Sequence, residues 1–121
     1  MTARSRPPAV PDDATLSSVA VEVLLTLADG QRHGYAIKQA IETRIGGDFV
    51  LGSGSLYQAL QRLERRGLVA AVDAPSPDER RGRVYRLEPA GRRVLAAELG
   101  RMERLVSHAR RRRLAIGPER S

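Results

Sequence analysis

The chain has no cysteine and no tryptophan, a single phenylalanine, three tyrosines and two histidines. Without thiols it can form no disulfide, no thiolate zinc site and no cysteine nucleophile. His33 and His108 are far apart, and neither stands at metal-ligand or catalytic-triad spacing from a carboxylate. No enzyme, cofactor or metal is therefore expected. Aromatic residues make up 3% of the sequence, too few to line a pocket for flat ligands. No apolar run approaches the roughly 20 residues of a membrane span, and the N-terminus lacks the apolar core of a secretory signal. The expected location is the cytoplasm, with no membrane partner.

What is present points elsewhere. With 121 residues, 41% of them hydrophobic, the chain holds one small domain whose modest core calls for a partner. A formal net charge of +7 calls for a polyanion, and nucleic acid precedes membrane because no long basic helix carries bulky aromatic anchors. Lys38 is the only lysine among 21 basic residues. Arginine suits bidentate contacts to phosphate and guanine, although a GC-rich coding sequence produces the same bias.

The strongest local pattern lies at 52–69. Leu56, Ala59, Leu60 and Leu63 repeat at i, i+3, i+4 and i+7, predicting a helix with one buried stripe. Its opposite side carries Gln58, Gln61, Arg62 and Arg65, the side chains that match the base edges of adenine and guanine, with Tyr57 at the flank. Ser53 or Ser55 is expected to cap its start, which accounts for both serines without a phosphate loop or a nucleophile, and Gly67 to stop it. Leu68 to Val72 and Arg83 to Leu87 then read as the two strands of a β-wing.

Before this helix, Leu16, Val19, Ala20, Val23, Leu24 and Leu27 mark a first helix, and Ala36, Ile37, Ala40, Ile41 and Ile45 a second that ends at Gly46. Lys38 and Gln39 are expected outward, and Phe49 to plug the gap between the second and third helices. After the wing, Pro89 opens a fourth helix. In it Leu95, Leu99, Met102 and Val106 follow the rhythm of a coiled-coil seam, predicting a homodimer. The divisions expected are a disordered arm at 1–14, a winged helix-turn-helix at 15–88, a dimerisation helix at 89–113 and a loose tail at 114–121.

His33-Gly34-Tyr35, Gly54-Ser55-Leu56-Tyr57, the run from Leu60 to Val69 and the run from Tyr85 to Arg92 together resemble the PadR family of bacterial transcriptional regulators. The resemblance covers about Leu16 to Leu105. It implies a mainly α winged helix-turn-helix, a homodimer built through the C-terminal helix, and repression of transcription relieved by a small-molecule effector. Glu88 departs from the family's threonine cap at the last helix. Double-stranded DNA is the expected partner. The candidate contacts are Ser53, Ser55, Tyr57, Gln58, Gln61, Arg62 and Arg65 on the third helix, Tyr35 and Lys38 on the second, and Arg80, Arg81 and Arg83 on the wing. The competing reading is a winged helix that binds RNA or another protein, because the fold alone does not decide function.

Overall fold

The computed structural model describes residues 16–72 and 83–117. The arm at 1–14, the wing tip with Arg80 and Arg81, and the last residues of the tail lie outside them. Helix α1 (Ser18–Leu27) starts at Ser17, whose Oγ accepts from the Ala20 amide at 3.1 Å, a cap that contributes about 1 kcal/mol. Its apolar stripe enters the core through Ala20, Val21, Val23, Leu24 and Leu27. Helix α2 (Gly34–Ile45) buries Ile37 and Ile41, while Ile45 stays outside. Helix α3 (Ser53–Arg65) buries Leu56, Leu60 and Leu63 against both.

A sheet of order β1-β3-β2, antiparallel throughout, closes the domain. Strands β2 (Val69–Val72) and β3 (Val84–Leu87) form the expected wing. Strand β1 (Arg32–His33) adds a third, pairing Arg32 with Tyr85 and His33 with Val84. Two residues are too few to show the alternation by which a strand is recognised. Tyr85 and Leu87 turn toward the helices, as their two-residue spacing requires.

Helix α4 (Pro89–Arg111) is positioned by one tight junction. Helix α3 stops at Gly67, φ 75°, where the Leu68 amide donates back to the Leu63 carbonyl at 2.9 Å. The carbonyl of Leu68 then accepts from the Glu88 amide at 3.0 Å, and Gly91 lies against the same oxygen. A Cβ on residue 91 would stand 2.1 Å from it, so only glycine lets α4 approach this closely.

Three local expectations are corrected, and the departure at Glu88 is seen in place. Neither Ser53 nor Ser55 caps α3; the N-cap is Gly52, which makes no side-chain bond, and both serines are solvent-exposed. Phe49 is exposed, and it is Leu51 of the same link that is buried in the core. Glu88 occupies the N-cap of α4 without capping it, its carboxylate being held by Arg86 at 3.0 Å. Finally, the α4 seam is divided. Leu95 is 5% exposed and belongs to the domain core, and Met102 packs against that core, whereas Leu99 and Val106 face solvent. The stripe that packs inward is Gly91, Leu95, Glu98 and Met102, one step round the helix from the predicted seam.

Replacing Gly91 with Ala should lower stability by about 1 to 3 kcal/mol, the usual cost of forcing a methyl into packed structure. Replacing Gly54, a helical position with nothing near its missing side chain, should be neutral or raise stability by up to about 1 kcal/mol. Thermal melts of the two variants should fall on opposite sides of the parent; coincident melts would refute the junction.

Candidate nucleic-acid interface

Because Leu56, Leu60 and Leu63 point inward, the 3.6-residue turn places Gln58 and Arg65 opposite them, with Gln61 and Arg62 on either side. All four are exposed, and among the described residues neither arginine is in an ion pair. Ser53 and Ser55 sit on the first turn of the same helix. Six of the twelve candidate contacts thus share one helix and open to solvent together.

The two edges of this face differ. The edge toward the wing carries Glu64, with Arg83 4.0 Å from its carboxylate and 5.9 Å from the Tyr85 ring centre. Arg83 is well exposed, so these weak contacts leave its charge available. Burial holds the Tyr85 hydroxyl above its ordinary pKa. The edge toward α1 carries Ser55, Arg62 and Arg66. Arg66, which sequence reasoning passed over as a helix end, has its Nη2 shut off from solvent with no hydrogen-bond partner, a situation that costs about 1 to 3 kcal/mol.

Three further candidate contacts have neighbours within the domain. Tyr57 is half-buried and its hydroxyl packs over the Cα of Gly34, leaving no room for a side chain there. The Gly34 and Tyr57 of the two separate motifs are therefore one contact. Tyr35 is exposed, its hydroxyl accepting from Gln39 at 3.3 Å. Lys38 is mostly covered and donates to Glu42 at 3.0 Å.

Glu42 is the residue that holds the turn before α3. Its Oε2 accepts from the Leu51 amide at 2.7 Å as well as from Lys38, and these bonds, the amide first, hold its carboxyl below the ordinary glutamate pKa of 4.5. The Lys38 and Glu42 spacing of i, i+4 was a legible signal for the pair; the reach to Leu51 was not. Helix α2 is fixed to α1 by Arg44, which donates to the Glu22 carboxylate at 2.7 Å, to the Glu22 carbonyl at 3.0 Å and to Thr26 Oγ1 at 2.9 Å.

A family profile described as "Transcriptional regulator PadR-like family" matches residues 23–97. The chain belongs to the PadR-like family of transcriptional regulators. The transcriptional regulator Rv3488 of Mycobacterium tuberculosis is 35% identical over 90 residues, covering 74% of this chain and 80% of that one. An uncharacterized 37.1 kDa protein in transposon TN4556 of Streptomyces fradiae is 49% identical over 83 residues, 69% of this chain but 22% of that protein. In fold, the PadR-like chain is similar to a transcriptional regulator from Clostridium thermocellum, with a TM-score of 0.66 at 24% identity over 80% of this chain and 97% of the other. No described helix is long and apolar enough to cross a membrane.

Because the folded-state pKa of Glu42 is lowered, its contribution is present above the ordinary value of 4.5 and is lost as pH falls through the lower folded value. Glu42→Gln should be less stable than the parent at neutral pH, and the gap should close as the pH falls through the lowered folded-state value. Urea unfolding at several pH values measures this. A gap that stays constant into acid would show that the carboxylate charge contributes nothing.

Proposed function

We propose that this PadR-like regulator binds duplex DNA as a homodimer on an inverted-repeat operator and represses transcription there. The observation that carries the reading is the outer face of α3, where Gln58, Gln61, Arg62 and Arg65 are exposed and, among the described residues, without side-chain partners. Side chains of this kind, on a helix thick enough to fill the major groove, recognise base edges. Arg83 at the base of the wing, with Arg80 and Arg81 beyond the described residues, would meet the backbone or the minor groove. The pairing surface is the free half of α4, where Leu99, Leu105 and Val106 are exposed beside Met102. A dimer joined there would set two reading helices about 34 Å apart, one turn of DNA.

Selection from random duplex DNA should return an inverted repeat, and Gln58→Ala or Gln61→Ala should relax preference at one base pair per half-site by about 1 to 3 kcal/mol. A pool that returns no motif, or single-stranded RNA bound in preference to duplex, would overturn the DNA reading.

The pair Leu99→Glu and Val106→Glu should give a folded monomer by light scattering that binds half-sites weakly. Leu95→Glu should instead unfold the domain, since that position is core. A parent protein that is monomeric at micromolar concentration would refute the dimer.

A further inference from the structure

Between the start of α1 and the flank of α3 lies a cleft of about 200 Å³. Its polar lining is Ser17, Ser55, Gln58, Arg62 and Arg66, over apolar Ala20 and Leu63. Among the described residues no carboxylate lines it. Arg62 and Arg66 stand at i, i+4, where two like charges repel, yet among the described residues neither is in an ion pair. The Nη2 of Arg66 is moreover buried with no acceptor among the described residues. Buried charged donors are ordinarily satisfied. Two guanidiniums, two hydroxyls and an amide around such a cleft form a donor set awaiting an acceptor-only group. Since liquid water takes about 30 Å³ per molecule, the volume accommodates a tetrahedral anion with its residual hydration.

We infer that this cleft is a phosphate-binding site, in which Arg62 and Arg66 grip one tetrahedral phosphate with help from Ser55. The phosphate has two possible sources, a backbone group of bound DNA or a free small phosphate. If it is DNA, Arg62 moves from reading bases to holding the strand beside the groove, and Gln58, Gln61 and Arg65 are left as readers; that version rests on the DNA-binding reading above.

The experiment compares the parent with Arg66→Met and Arg62→Gln. Melting is followed in inorganic phosphate and in chloride of equal ionic strength. General salting-out raises every variant alike, so the readout is the difference between proteins. The parent should gain about 4 °C or more over Arg66→Met in phosphate. In chloride Arg66→Met should melt no lower than the parent, because it removes an unmet donor. In the second arm, single methylphosphonate replacements are walked along the operator. One position per half-site should weaken the parent about tenfold and leave Arg66→Met unaffected, and Arg66→Met should lower the log-log salt slope by about one unit. A phosphate-specific gain without a sensitive DNA position assigns the site to a free phosphate. A sensitive position without the gain assigns it to DNA. The absence of both effects overturns the inference. Failure to bind any duplex would sink the DNA reading alone, since the melting comparison still decides the cleft.

Discussion

The rotation of α3 about its own axis is the constraint on which the rest of the molecule depends. Three side chains set it: Leu56, Leu60 and Leu63 are at most 1% exposed, and fully burying each is worth roughly 1.5 to 3 kcal/mol. A rotation by one residue would draw them out of the core together and turn Gln58 and Arg65 away from solvent. The outer face of α3 is thus fixed by what lies beneath it. The surrounding contacts serve the same end. Glu42 ties the entry of the helix through the Leu51 amide, Gly67 and Leu68 close its exit, and Arg44 keeps α2 in place behind it.

What could be read from the sequence was what periodicity reports. The stripes of α1 and α3, the stop at Gly67, the wing strands and Pro89 at the head of α4 all follow from spacings within one element, and all stand in the structure. Misreadings arose where an outcome depended on two elements at once. Phe49 suits a gap between helices by size, but no local pattern states which residue of the link turns inward, and it is Leu51 that is buried. The serines at 53 and 55 suit a cap by type, yet the chain enters α3 one residue earlier, at Gly52. The contact of Tyr57 with Gly34 likewise joins two elements, which no spacing within one of them states.

The fourth helix shows why a heptad reading and a domain-packing reading are easily confused. Positions 95, 99, 102 and 106 are evenly apolar, and a seam is the economical description. The helix, however, leaves the domain part-way along its length. Up to Met102 it must offer a face to its own core, and Gly91 with Leu95 is where the Leu68 carbonyl junction draws it in. Past Met102 the described residues are nearly all exposed, and Leu99, Leu105 and Val106 are the large apolar side chains of the helix left open to solvent. Length of contact, not the pattern itself, divides the two uses.

Glu98 lies at that point of departure. Its side chain is 5% exposed and it is forked by Arg101, whose hydrogen bonds hold the carboxyl below its ordinary pKa. A well-packed leucine would satisfy the inward stripe equally well, since burying an ion pair seldom exceeds its desolvation cost. What a charged pair does that a leucine cannot is resist burial beneath a second apolar surface, because covering Arg101 would strip water from a guanidinium whose acceptors are already used. It therefore sets an inner limit to any pairing along α4 and confines it to the segment beyond. The divided seam and the half-exposed ion pair are in this sense one feature, marking where α4 leaves the core and its exposed apolar segment begins.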